Sequence, residues 1–250
     1  MKIQVLVATM HQKDKTLIEK MNIQSDAIIG NQCSENYIES FEWNGHKITY
    51  LNFAERGLSL NRNNALIRAS ADICLLADDD MVYDNDYCST VERVFDEHPD
   101  ADVIIFNIKE PVPTRAVVKK TVRVNYFNYL RYGSVRIAFR LNSIRSNAIS
   151  FNQCFGTGTE RGFGEDNLFL TDCLNNKLTI YAVPEHIASL TEERPSTWFD
   201  GYDEKYLYNK GMLFRAITKR WWRLLCLQDA IRHHREYRLS WVEAYRIMIR

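Results

Sequence analysis

The sequence carries no surplus charge, because 32 lysines and arginines balance 32 aspartates and glutamates. No whole-chain field therefore favours nucleic acid or an acidic partner. No apolar run approaches the roughly 18 residues that a membrane span needs, so any membrane contact is expected at the surface. The six cysteines form no Cys-x-x-Cys pair and match no zinc spacing. At 250 residues a core is within reach without disulfides, and reduced thiols in a cytosol fit this pattern. There is no internal repeat and no low-complexity stretch. No cleavage-site pattern follows Ile3–Met10, which reads as a first strand and not as a signal peptide. With 46% apolar and 26% charged residues, the chain is unlike a disordered, collagenous or coiled-coil protein.

What is present is alternation. Ile3–Ala8, Asp26–Gly30, Lys47–Leu51, Asp72–Ala77 and Asp102–Asn107 read as short buried strands. Asp14–Met21, a segment starting at Ser59, and Asn85–Glu97 read as helices between them. Strands and helices in turn predict a parallel sheet covered on both faces, with ligands beyond the carboxyl ends of the strands. Residues 111–150 are basic and read as β-rich. A glycine-rich stretch, 155–164, then leads into a helix over Asn167–Leu174 and a strand over Leu178–Val183. From about Gly211 the chain reads as helical.

Three places carry candidate chemistry. Asp78-Asp79-Asp80 directly follows a buried strand. In an extended segment Asp78 and Asp80 would share a side, and a hard divalent cation with oxygen ligands would relieve their repulsion. A solvated acidic turn is the bland alternative. Glu165-Asp166 follows Gly156, Gly158, Gly162 and Gly164, which allow close backbone approach or loop motion. A carboxylate behind such a loop is well placed as a general base, although an acidic pair also suits a helix's first turn. Gly57 before a helix start, with Arg62 inside it, suits an anion, or is an ordinary helix start. His186, just after a strand, is a lone histidine, which is more often structural than a ligand.

Taken together, GLSLNRNNAL, DICLLADDDMVY and FGTGTERGFGEDNLF resemble the family 2 glycosyltransferases of the GT-A fold. Asp78–Asp80 stand where that family has its DxD motif and Glu165-Asp166 where it has its ED motif, with Asp80 and Asp166 86 positions apart. The resemblance spans about residues 1–190 and extends more loosely to a bacterial subset that builds surface polysaccharides. It implies an α/β, Rossmann-like single domain over 1–190 with a mainly parallel sheet. Its nucleotide-binding half would be 1–107 and its acceptor-side half 108–190, followed by a helical extension over 191–250. It implies Thr9 and Asn31-Gln32 near the base, and Arg62 near the nucleotide or diphosphate. Asp78 would face the ribose, with Asp79 also in the donor-binding set. Asp80 would hold Mn²⁺ or Mg²⁺, with Asp78 and His186 as further metal ligands. Asp166 would be the base and Glu165 would assist at the acceptor. Gly156, Gly158 and Gln153 would border the donor sugar and acceptor. The implied reaction is inverting transfer from a nucleotide-diphospho-sugar, a UDP-sugar by preference, to a glycan or lipid-linked glycan, by a cytoplasmic or peripheral protein.

Rival readings make different demands. A sugar nucleotidyltransferase wants glycine and arginine right after the first strand, where Thr9-Met10-His11-Gln12-Lys13 has no glycine. A receiver domain would be about half this length. A non-catalytic sugar- or lipid-binding scaffold would not need both acidic motifs. Finally, Phe214–Arg250 holds nine basic and three acidic residues, a local +6 interleaved with Trp221, Trp222 and Trp241. A basic, tryptophan-bearing helix suits an anionic membrane surface, or else packs its apolar side on the catalytic domain. Packing is expected for Leu213–Leu227 and membrane contact for Arg232–Arg250.

Overall fold

A computed structural model describes residues 1–110, 116–191 and 201–250. The expectations for 111–115 and for 192–200 lie outside the described residues. The chain begins with β1 (Ile3–Met10), α1 (Thr16–Lys20), β2 (Asp26–Gln32), β3 (Tyr37–Trp43) and β4 (His46–Phe53). It continues with α2 (Leu58–Arg68), β5 (Ile73–Asp78), β6 (Met81–Tyr83), α3 (Tyr87–Glu97) and β7 (Val103–Lys109). Then come β8 (Val122–Arg123), β9 (Ile137–Arg140), α4 (Leu141–Ser146), α5 (Glu165–Asn175) and β10 (Ile180–Leu190). Three helices follow: α6 (Glu204–Ile217), α7 (Trp222–Tyr237) and α8 (Trp241–Met248).

The strands form one sheet in the order β3-β4-β2-β1-β5-β9-β7-β10-β6, with β8 on β10. β4, β2, β1 and β5 run parallel, as do β7 and β10. β9 enters antiparallel between β5 and β7, which makes the second half mixed. Side chains alternate across the strands, as the pleat requires. Val5, Val7 and Leu75 face α1 and α3, while Leu6, Cys74 and Leu76 face α2, α4 and α5.

Two local expectations change. Residues 116–150 hold only the short β8 and β9, with two 3-10 turns (Tyr129–Arg131 and Ser134–Arg136) and α4. The stretch is therefore not β-rich: its buried Arg136 bonds β7, Nε donating to the Phe106 carbonyl at 2.7 Å and Nη2 to Asn107 Oδ1 at 2.8 Å, and holds the loop at Ala116 to it through Nη1 at 3.1 Å. Second, β3 and β4 form a hairpin that the strand reading left out. Asn44-Gly45 turns it with φ of 49° and 80°, the pairing that right-twisted two-residue loops favour.

The last three helices make their own small core from Leu207, Phe214, Cys226, Ala230, Tyr237, Ala244, Ile247 and Met248. α8 starts with a reciprocal capping box between Ser240 and Glu243. Lys210 Nζ reaches Asp229 at 2.9 Å and the Tyr237 hydroxyl at 3.0 Å inside this bundle. The bundle is joined to the sheet domain by Leu213, which packs with Phe155 and Leu168. Phe163 stacks on Tyr206 with ring centres 4.9 Å apart. Leu213, Phe214 and Cys226 are buried, as expected of the proximal part, where Trp221 and Leu224 are nevertheless exposed, and the distal part also buries Tyr237, Ala244 and Met248 while Trp241 is exposed.

Candidate active site

The register of the parallel strands builds one wall of the site. Ala8 sits beside Asp78 and Thr9 beside Asn31, so the carboxyl ends of β5, β1 and β2 lie in a row. Thr9 Oγ1 donates to Asp79 Oδ2 at 2.6 Å, and Gln12 Nε2 donates to Thr9 Oγ1 at 2.9 Å. Asn31 is spent inside the wall, donating to Asn52 Oδ1 at 2.7 Å and to the Gln12 carbonyl at 3.0 Å. Gln32 Oε1 accepts the Gly57 backbone N–H at 2.8 Å, which fixes the start of α2.

Arg62 stands at the centre. Asn61, Arg62 and Asn63 are consecutive in α2 and all buried, so protein encloses this polar segment on several sides. Arg62 donates from Nη2 to Asp78 Oδ1 at 2.8 Å and to Ser134 Oγ at 2.9 Å, and from Nη1 to Glu165 Oε1 at 3.0 Å. Burial works against its charge, and the Asp78 and Glu165 carboxylates more than offset that. A guanidinium suits this role, since its planar fork serves two carboxylates at once. The two acidic motifs are thus joined through one cation, which their spacing in sequence did not show.

The glycine-rich loop packs against the start of α2. Leu58 N–H donates to the Thr157 carbonyl at 2.9 Å and Ser59 Oγ to the Phe155 carbonyl at 2.8 Å. Asn63 makes a paired bond to the Phe151 backbone, both arms at 2.8 Å. Gly156 has φ +101°, and a Cβ there would lie 3.1 Å from Glu165 Oε2. Gly158 has φ +87°, and its Cβ would lie 3.1 Å from the Gly57 backbone. The close approach these glycines permit is therefore to their own chain: one seats Glu165, the other docks the loop on α2. Gln153 is exposed.

Glu165 and Asp166 open α5, after Gly164 in the left-handed region. Glu165 points inward and is 7% exposed. Asp166 is half-buried, and Asn167 N–H donates to its Oδ1 at 2.7 Å. Enclosure by protein raises its pKa to about 7, helped by the neighbouring Glu165 and opposed by Arg62 and the N–H groups of Asn167 and Ser134. Ser134 thus serves both Arg62 and Asp166, and Gly133 lies against the Asp166 carboxylate. Sequence reasoning missed Gly133, Ser134 and Asn63. Nothing in the aperiodic basic stretch marks the first two, whereas Asn63 lies in a motif that was singled out.

The metal reading needs a different geometry from the expected one. β5 ends at Asp78, and Asp79-Asp80 form the turn into β6. Asp78 and Asp80 would share a side only in an extended segment, and the turn ends that segment. His186 is exposed in β10 opposite Asn107. Thr191 N–H donates to the Asp80 carbonyl at 2.9 Å, so His186 lies five residues back along an extended strand, roughly 16 Å away at ~3.3 Å per residue. It is not brought to the aspartates. Among the described residues no three His, Cys, Asp or Glu side chains converge as a metal cage. Carboxylate oxygens at a turn still fit Mg²⁺ or Mn²⁺, because such ions are often held by one or two carboxylates plus substrate phosphates. An open groove lined by Met1, Gln24, Phe41 and His46 lies at the amino ends of the strands and gathers none of these residues.

Comparison with known proteins agrees with this architecture. Residues 28–164, more than half the chain, match the model of glycosyl transferase family 2. No curated protein sequence matches. Among solved structures, S. aureus TarS 1–349 in complex with UDP-GlcNAc is 15% identical with a TM-score of 0.67, covering 99% of this chain and 90% of that one. S. aureus TarS 1–349 in complex with UDP is 18% identical with a TM-score of 0.64, covering 94% and 72%. S. aureus TarS covers 99% of this chain at 16% identity and a TM-score of 0.65, and 55% of that chain is covered in return. At such identities the likeness carries the fold, and the family match carries the family. The chain belongs to glycosyl transferase family 2 and is a glycosyltransferase of the GT-A fold.

Proposed function

We propose that this glycosyltransferase moves a sugar from a UDP-sugar to a hydroxyl of a glycan or lipid-linked glycan, with inversion, in building a surface polysaccharide. One observation carries the reading: Arg62 ties the strand-end aspartates to the Glu165-Asp166 pair, so a leaving-group side and a base side meet at one edge of the sheet. The binding of UDP and UDP-GlcNAc by TarS supports UDP as the nucleotide. Six free cysteines fit work in a reducing cytoplasm.

In this scheme Asp166 takes the acceptor proton. A hydroxyl is far less acidic than any Asp, so the proton moves as the new C–O bond forms. A base with a pKa near the working pH is the most effective, and Asp166, raised to about 7, meets that condition. Glu165 is committed to Arg62 and so orients the base-bearing turn and does not take the proton itself. Asp80, in the turn, would hold Mn²⁺ or Mg²⁺ against the diphosphate, where the ion would supply neutralising charge for the departing group, while Asp78 is bonded to Arg62. Thr9 and Gln12 hold Asp79 and keep that turn in place.

The test is Asp166→Asn, assayed for release of UDP from a panel of UDP-sugars with glycan acceptors. Donor binding should stay near normal and turnover fall by ~10²–10⁴, the usual worth of a general base. Full turnover in this isosteric variant removes Asp166 from the chemistry. Absence of donor binding to the parent protein across the panel removes the UDP-sugar reading.

A further inference from the structure

α7 has two apolar sides, and the bundle covers one. Cys226, Ala230 and Tyr237 lie in the helical core. Trp221, Leu224 and Ile231 are 55%, 57% and 53% exposed. They stand at i, i+3 and i+10 on one line of the helix, and the exposed Gln228 and Arg235 continue it at i+7 and i+14. Arg220, Arg223, Arg232 and Arg238 border this line and are also exposed. Arg220 lies over the Trp221 ring at 5.0 Å, and Arg223 over Trp222 at 5.3 Å. The two acidic residues of α7 are engaged elsewhere, Asp229 with Lys210 and Glu236 with His233.

The charge decides what can cover such a stripe. A second copy would bring the same arginines against these, whereas phospholipid phosphates supply the missing negative charge. Tryptophan and leucine between arginines suit the headgroup boundary, where an apolar ring and a cation are both accommodated. We propose that the Trp221–Leu224–Ile231 face of α7 docks on an anionic phospholipid membrane, its apolar side chains among the headgroups and the bordering arginines on the phosphates. This is a different surface from the distal 232–250 segment. There α8 packs Ala244, Ile247 and Met248 inside the bundle and leaves only Trp241, at its first turn, exposed among its large apolar side chains.

The placement has a functional side, which rests on the transferase reading. Ile217, four residues before Trp221, packs against the cluster of Phe155, Leu168 and Leu213 beside the glycine loop. A membrane under the amino end of α7 would therefore lie close to the edge of the site where a lipid-linked acceptor enters.

The experiment is co-sedimentation of the full chain with vesicles of phosphatidylglycerol and phosphatidylcholine in equal parts, against pure phosphatidylcholine. At low salt at least about tenfold more protein should bind the anionic vesicles, as expected for several basic residues at a charged surface. About 0.5 M salt should release it, because screening shortens the reach of surface charge. The double variant Leu224→Glu/Ile231→Glu should lose this binding and keep the parent's hydrolysis of UDP-sugar in solution. Phe127→Glu, at a 98% exposed position outside the helical bundle, should bind like the parent. A double variant that binds like the parent overturns the proposal, as does a parent that ignores anionic vesicles. So does a dimer, seen by light scattering, that the double variant splits, since a second copy would then cover the stripe. Loss of UDP-sugar hydrolysis in the parent counts against the transferase reading and leaves the vesicle result standing.

Discussion

A carboxylate enclosed by protein beside a second carboxylate keeps its proton to higher pH. For Asp166 this links activity and stability with opposite signs. Its native pKa is raised to about 7, while an unfolded Asp titrates near 3.8. Between these values the native state binds more protons than the unfolded one, so stability falls as pH rises through the window. If Asp166 is the base proposed above, activity needs the ionised form, and kcat/KM should climb through about pH 7. Asp166→Asn should therefore melt higher than the parent at pH 8, with the gap closing towards pH 5. Thermal melts across that range measure it, and a gap that stays constant with pH assigns the shift elsewhere. Asp80 belongs to the same scale. Asp80→Ala should remove the metal dependence of donor binding without unfolding the chain, read by calorimetry with and without Mn²⁺. Binding with unchanged metal dependence would move the ion to other residues.

Among the elements, what the sequence made legible follows from periodicity, and what it hid follows from side chains that stand in for backbone. The buried runs of β1, β2, β5 and β7 are plain, because a strand covered on both faces shows as an unbroken apolar stretch. The β3–β4 hairpin was also readable, from Asn44-Gly45 between Phe41-Glu42-Trp43 and the strand at 47–51. The acidic motifs were found, but their joint was not. Arg62 looked like a ligand for phosphate and proved to bind Asp78 and Glu165, since no spacing reveals a contact across 103 positions. The 116–150 stretch holds little strand because Arg136 and Asn107 satisfy the loop carbonyls of Ala116 and Val118, which a strand would otherwise pair. The helical extension offers an element-scale test. A Cβ on Gly211 would lie 1.8 Å from the Met248 carbonyl oxygen, so α6 and α8 touch backbone to backbone there. Gly211→Ala should push α8 off and cost about 1–3 kcal/mol, as overpacking does. Urea titration with limited proteolysis of 241–250 measures it, and a neutral effect would mean that the helices slide apart freely.

At the scale of the whole molecule, opposite charges sit apart: the tail from Phe214 carries +6 and the remainder −6. The bundle is nevertheless bonded to the loop that borders the site, through Leu213, Tyr206 and the Asn209 bond to the Glu160 carbonyl at 3.2 Å. Under the proposed function, acceptor entry and membrane docking would be arranged around this one joint. The antiparallel insertion of β9 between β5 and β7 has a further consequence. The stretches 1–107 and 108–190, expected as nucleotide-binding and acceptor-side halves, interleave their strands in one sheet. Residues 1–110 expressed alone would lack β9 and β10, which leaves one edge of β5, both edges of β7 and β6 itself unpaired, and a guanidinium stripped of its Glu165 counter-ion. Such a fragment should show no cooperative melt in calorimetry, and mixing it with residues 116–250 should restore one. Complementation of this kind would make the enzyme a reporter of proximity, silent in two pieces and active when something else holds them together.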